Sequence, residues 1–170
     1  MTHDTDNPFA NAPISRDRDH FLRELLRELM SILEDTVGLE EAEGFIALVG
    51  GRVGQVMDEE YRSANGRRKL DRQTVAHALV DLKRRINGGF AIERVDDEKI
   101  VLVNTACPFA EHVEGRKSLC MMTSNVFGRI SANNLGYARV DLEETIAAGQ
   151  SRCRVVIHLV EGEDGREYFS

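Results

Sequence analysis

The sequence is poor in the residues that mark several common protein classes. It has no tryptophan, three prolines and three cysteines in 170 residues. It also has no apolar run near the roughly 18 residues that a membrane span needs. An odd number of cysteines cannot be fully paired within one chain, and a chain of this length buries a core without disulfides. These absences predict a cytoplasmic protein with neither a disulfide framework nor a membrane span.

Basic charge is also scarce. The chain has 22 Lys and Arg against 29 Asp and Glu, a formal net charge of -7. A nucleic-acid-binding domain usually carries a basic excess, so the balance argues against nucleic acid as a partner. One basic concentration exists: Arg67, Arg68, Lys69 and Arg72, followed by Lys83, Arg84 and Arg85. We interpret it as a solvated face, with a small DNA-binding regulator as an alternative.

The N-terminal residues differ in composition from the rest of the chain. Residues 1–14 contain two of the three prolines and lack apolar periodicity, which predicts a flexible tail. They lack the basic start and apolar stretch of a secretory signal. The remaining residues 15–170 have the length of a single domain.

Apolar residues at steps of three and four predict four helices. The first begins after an N-cap at Ser15, and the second extends from about Leu39 to Arg62. Asp71 caps the third helix, which ends at Asn87. The fourth extends from Ser118 to about residue 133, after the first two strands described next.

Two pairs of segments alternate apolar and polar residues, as strands do. FAIERV at 90–95 and KIVLVNT at 99–105 predict one hairpin. YARVDLEETIA at 137–147 and CRVVIHLV at 153–160 predict a second hairpin, across a tight turn at 148–151. The order of elements predicts an α+β fold in which N-terminal helices pack on an antiparallel sheet of two hairpins with an intervening helix.

The three cysteines lie at the ends of three predicted elements. Cys107 follows the second strand, Cys120 lies in the first turn of the fourth helix, and Cys153 begins the last predicted strand. Thiolates bind zinc and iron-sulfur clusters, and a structural zinc site takes four ligands. Candidates for a fourth ligand are Glu143, Glu144 and His112.

Spacing alone leaves three interpretations of these cysteines open. Without a CxxC pair the zinc signal is weak, and free cysteine commonly serves as a small buried apolar residue. A metal ion or cluster is the second interpretation. Redox sensing is the third, because Cys120 near a helix N-terminus beside Arg116 and Lys117 would have a lowered pKa.

The segments around these cysteines resemble the methanogen output domain family. The most specific pieces are Asn104 with Cys107-Pro108-Phe109, Leu119-Cys120, and Glu143-Glu144 followed by Gly149 and Cys153. The resemblance covers roughly Leu39 to Leu159 and extends more distantly to the 4-vinyl reductase type domains of bacterial regulators. It implies a fold related to the ligand-binding domains of nitric-oxide signalling and Golgi-transport proteins, often dimeric.

The resemblance also implies a sensory or regulatory role. In the aromatic-sensing relatives, three cysteines and a glutamate hold zinc beneath the ligand pocket. Cys120, Glu143 or Glu144, and Cys153 match three of those positions, whereas Thr145 stands where another cysteine is expected. Because Cys107 supplies a thiolate from another element, the resemblance leaves zinc, an iron-sulfur cluster and a small-molecule ligand as candidates.

These observations predict a sensory domain that signals through a homodimer or a regulatory partner protein. The apolar faces of the first two helices are the expected dimer surface. An enzyme acting on an aromatic or tetrapyrrole-like substrate is an alternative, although the sequence shows no nucleophile elbow or HExxH motif.

Overall fold

A computed structural model of the chain describes residue 13 and residues 17–107 and 117–170. Across them the chain forms four α-helices and five β-strands. The helices are α1 (Arg18–Val37), α2 (Leu39–Ala64), α3 (Arg72–Arg85) and α4 (Lys117–Leu135). The strands are β1 (Phe90–Val95), β2 (Lys99–Asn104), β3 (Tyr137–Glu144), β4 (Cys153–His158) and β5 (Arg166–Phe169). The predicted α+β class is therefore confirmed.

Two of the helices begin at aspartate caps. The Asp71 side chain accepts a hydrogen bond from the Thr74 N–H at 2.8 Å, which satisfies a donor that the first turn leaves unpaired. Asp17 does the same for the His20 N–H at 2.7 Å, so Asp17 caps α1 in place of the predicted Ser15.

The strands form one antiparallel sheet in the order β1-β2-β4-β3-β5. The first predicted hairpin pairs β1 with β2, and β2 pairs with β4, so that Asn104 lies opposite Cys153. The second predicted hairpin is interrupted by a 3₁₀ helix at Ile146–Ala148 in place of a tight turn. Strand β5, which the sequence pattern did not reveal, adds to the edge beside β3.

Helices cover one face of this sheet. Phe127 and Ile130 of α4 and Leu79 of α3 are fully buried against it, in a single core cluster. Helix α2 packs on α4, and α1 packs on α2 at the periphery. Within the described residues, no helix is long and apolar enough to cross a membrane.

Candidate functional site

A small cavity lies between α4 and the sheet. Its volume is about 30 Å³, and its lining is drawn from α3, α4, strands β1 to β4 and the segments next to them. The lining residues are Lys83, Phe90, Asn104, Cys107, Leu119, Cys120, Thr123, Leu142, Thr145, Cys153 and Val155. Most of the wall is apolar, with a few polar groups among the apolar side chains, which is the usual composition of a small-ligand site.

All three cysteines line this cavity. Cys107 follows the end of β2, Cys120 lies in the first turn of α4, and Cys153 is the first residue of β4. The three side chains are partly buried, and none of them forms a disulfide. The register of β2 with β4 explains part of this convergence, because it aligns the end of one strand with the start of the other.

The 3₁₀ helix hydrogen-bonds two of the sulfur atoms. The Ile146 N–H donates to Cys153 Sγ at 3.4 Å, and the Ala147 N–H donates to the sulfur of Cys120. Burial raises the pKa of the Cys120 thiol to about 12, and the nearby Cys153 and Cys107 sulfurs act in the same direction. Cys120 is therefore a neutral thiol, which corrects the interpretation of it as a reactive, low-pKa redox sensor.

Lys83 brings a positive charge to the same cavity. Its side chain is only 5 % exposed, and Nζ donates a hydrogen bond to Thr123 Oγ1 at 2.7 Å. Nζ also lies 5.2 Å from the ring centroid of Phe127 and 5.6 Å from that of Phe90, within cation-π range. Burial lowers the pKa of Lys83 to about 8, partly offset by the three cysteine sulfurs.

This position corrects the interpretation of Lys83 as part of a solvated basic face. Its neighbours in that run remain on the surface, where Arg84 and Arg85 both pair with Asp81 at 2.6 Å. Lys83 lies four residues after the buried Leu79, so helical geometry places it on the apolar face of α3. The four-residue spacing from Leu79 was therefore the feature of the sequence that could have predicted the burial of Lys83.

Glu143 and Glu144, two of the predicted fourth ligands, are not among the described residues that line the cavity. The Arg152 guanidinium donates two hydrogen bonds of 2.8 Å to Glu144, and Arg154 pairs with Glu143. Thr145, the next residue, lines the cavity instead. His112 lies outside the described residues.

The donor set does not fit a metal ion as it stands. Among the described residues, no group of three or more His, Cys, Asp or Glu side chains is arranged to hold one. The cavity brings the three thiols together without coordination geometry, and the cation of Lys83 lies beside them.

A second apolar cluster connects the cavity to the outer helices. Leu119 lines the cavity and packs in a buried cluster with Met30 of α1, Ile46 of α2 and Ala147 of the 3₁₀ helix. Cys107 and Cys120 are partly buried against the same cluster. The cavity wall and the first two helices thus share packed side chains.

Four α-helices packed on an antiparallel sheet, with a cavity between α4 and the sheet, make this an α+β domain with an internal cavity. The chain belongs to the methanogen output domain 1 family, whose model matches residues 25–158. The resemblance seen in the sequence is thereby confirmed. A search of curated proteins found no match.

Solved structures share the fold at low sequence identity. The phenol-responsive sensory domain of the transcription activator PoxR, crystallised with phenol, is 17 % identical, with a TM-score of 0.66 over 80 % of this chain and 73 % of that one. A trafficking protein particle complex subunit 3 from Naegleria fowleri, covalently bound to palmitic acid, is 14 % identical, with a TM-score of 0.55 over 83 % and 96 %. The Fe(II) unliganded H-NOX protein from K. algicida is 12 % identical, with a TM-score of 0.57 over 85 % and 75 %. These similarities confirm the predicted relation to nitric-oxide-signalling and Golgi-transport folds.

Proposed function

We propose that this domain is a sensory or regulatory domain that binds a small molecule in the cavity lined by Cys107, Cys120 and Cys153. The observation that carries the proposal is the cavity itself, which lies between α4 and the sheet and is lined by apolar side chains with a few polar groups. The similarity to the phenol-responsive domain of PoxR supports a ligand-binding role. An enzyme gains no comparable support from the arrangement of the described residues.

A metal ion or iron-sulfur cluster is the second candidate occupant. One observation favours it: three thiols from three separate elements line the same cavity. Zinc or a cluster would require these side chains to move into coordination geometry and to lose their protons. The Lys83 cation beside the thiols opposes binding of a second cation, so we rank the small molecule first.

The signal would leave the cavity through α1 and α2. Leu119 contacts the ligand space on one side and packs against Met30 and Ile46 on the other. Displacement of Leu119 by a ligand would therefore change the packing of both helices. A regulatory protein or a second copy of the chain bound to these helices would receive the change.

A second copy is the receiver that these helices favour. Their outward side chains include Phe21, Leu22, Leu25, Leu26, Leu29 and Ile32 of α1 and Leu39, Phe45, Leu48, Val49 and Val56 of α2, each 41 % exposed or more. So many large apolar side chains exposed on two helices that pack together indicate an interaction site. The first half of α1 has three arginines against two acidic residues, whereas the charged residues of the second half are Glu28, Glu34 and Asp35. An antiparallel, two-fold pairing of α1 helices brings these halves together.

Metal analysis combined with a cavity-filling variant tests the proposal. The protein is purified without oxygen, its zinc and iron are measured, and its melting temperature is recorded with phenol and other small aromatic compounds. We expect a colourless protein with far less than one metal ion per chain, stabilised by at least one compound. Leu142→Trp, which fills the cavity, should abolish that stabilisation, whereas Val160→Trp at an exposed position should not.

Two results would overturn this assignment. Stoichiometric zinc or iron that is lost in Cys→Ser variants would establish the metal-binding alternative. Equal stabilisation of the Leu142→Trp and Val160→Trp variants would place the ligand elsewhere on the protein.

A further inference from the structure

The charge of the cavity identifies the kind of molecule that it recognises. Among the described residues, Lys83 is the one formally charged group in the lining, and no Asp or Glu of that set lines it. Cys120 is a neutral thiol, and the remaining lining side chains are amide, hydroxyl, thiol and apolar groups. The cavity therefore offers a positive charge in surroundings of low polarity.

Lys83 has no carboxylate partner among the described residues. Its contacts there are the Thr123 hydroxyl and the faces of two phenyl rings, which compensate only part of the cost of burying an ammonium group. An ammonium group has three N–H donors, and Thr123 accepts from one of them. A bound anion would supply the missing counter-charge and accept further hydrogen bonds.

We propose that Lys83 makes the cavity selective for small organic acids, with the ligand's carboxylate accepting a hydrogen bond from Lys83 Nζ. This proposal rests on the proposed function and names its ligand class. Asn104, whose Oδ1 accepts from the Ala106 N–H at 2.8 Å, supplies its Nδ2 as a second donor in the cavity wall.

The space available suits an acid with a compact head group. The enclosed part, about 30 Å³, holds roughly one or two water molecules, which is the room that a carboxylate needs. The cavity also opens to solvent, so the body of a larger acid can extend beyond this enclosed part. Phe90, Leu142 and Val155 provide an apolar wall for the body of the ligand.

Matched pairs of probes test the selectivity. Isothermal titration at pH 6.5 compares benzoate with benzamide and octanoate with octanamide, so that each acid is matched by a neutral molecule of the same shape. We expect at least one acid to bind the full-length protein tenfold or more tightly than its amide. Its affinity should fall as the pH rises through about 8, where Lys83 loses its proton beside the Cys107, Cys120 and Cys153 sulfurs.

Two variants assign the effect to one residue. Lys83→Met keeps the length of the side chain and removes the charge, and it should reduce acid binding tenfold or more without weakening amide binding. Arg84→Met removes a positive charge from the exposed side of the same helix turn and should bind as the unmodified protein does. Circular dichroism and thermal unfolding verify that both variants fold.

The outcomes separate this inference from the proposed function. If an amide binds as tightly as its acid, or if Lys83→Met retains full acid affinity, anion selectivity is wrong while a ligand-binding cavity stands. If none of the four probes and none of the aromatic compounds above binds, both proposals fail.

Discussion

At the scale of single residues, Lys83 reduces the stability of the fold. Its pKa falls from an ordinary 10.5 to about 8 because burial disfavours the charged form. Below pH 8 both the folded and unfolded states hold the proton, so the full cost of burying the charge applies. Between about pH 8 and 10.5 the folded lysine is neutral while the unfolded one keeps its proton, so stability increases with pH.

Replacing this lysine should therefore stabilise the protein. We expect Lys83→Met to raise the free energy of unfolding at pH 7 by about 2 kcal/mol. Urea unfolding of both proteins at pH 7 and pH 10 measures the difference, which should shrink at the higher pH. A Lys83→Met variant that is less stable than the original at pH 7 would contradict this account of the buried charge.

A buried aspartate has the opposite effect on stability. Asp58 of α2 is fully buried and accepts hydrogen bonds from Asn134 Nδ2 at 2.5 Å and Asn133 Nδ2 at 3.1 Å. Asn134 also accepts from the Leu70 N–H, so this network joins α2, α4 and the segment before α3. Asp58→Ala should lower the free energy of unfolding by about 3 kcal/mol, because it leaves buried donors unpaired.

Glu60→Ala provides the control for that prediction. Glu60 lies on the exposed side of the same helix, and its replacement should change stability by less than about 0.5 kcal/mol. Chemical denaturation of the two variants side by side compares them. Equal effects would show that the Asp58 network contributes little to stability.

Some features of the cavity could be predicted from the sequence and others could not. The cysteines could be predicted to lie near one another because each stands at or near the end of an element. The arginine partners of Glu143 and Glu144 could not be predicted, because they depend on strand register. Arg154, for example, bridges Glu143 on β3 and Glu93 on β1. Because Lys83 was interpreted by its charge and not by its position on the helix, the charged group that the described residues place in the cavity lining was missed.

At the scale of elements, the glycines of α2 divide into two groups. A Cβ at Gly50 would lie 2.6 Å from Asn125 Cβ of α4, and one at Gly54 would lie 3.0 Å from Arg129 Cβ. A Cβ at Gly44 or Gly51 would meet nothing within 4 Å. The first pair therefore permits the close approach of α2 to α4.

Alanine at these positions should have opposite effects. Gly50→Ala should destabilise the fold by about 1–3 kcal/mol through overpacking against α4. Gly51→Ala should stabilise it by about 0.5–1 kcal/mol, because alanine has the higher helix propensity and no contact opposes it. Thermal and urea unfolding measure both, and a stabilising Gly50→Ala would contradict the close packing of the two helices.

The order of strands was harder to predict than their positions. The alternation of apolar residues is local, so it revealed β1 to β4 from segments of six to eight residues. The pairing of β2 with β4 joins residues about fifty positions apart and leaves no local signal. Strand β5 has four residues, of which Tyr168 alone is buried, too short a pattern to predict a strand.

At the scale of the whole molecule, few buried contacts hold α1 against the rest of a single chain. Met30 is its one buried residue, while six of its large apolar side chains are more than 40 % exposed. Most of the stability of a helix in a protein comes from packing its apolar face. We therefore expect a partner to cover the exposed faces of α1 and α2, and the charge distribution along α1 suits the proposed second copy.

A charge placed in that face should separate the copies. We expect the protein to sediment as a dimer at micromolar concentration and Leu25→Glu to sediment as a monomer, because a carboxylate would be buried at the contact without a partner. Val160→Glu, at an apolar position exposed to a similar degree but outside the helices, should remain dimeric. Analytical ultracentrifugation across a hundredfold range of concentration measures all three proteins. A monomer at every concentration for the unmodified chain would exclude the dimer and leave a regulatory partner protein as the receiver of the signal.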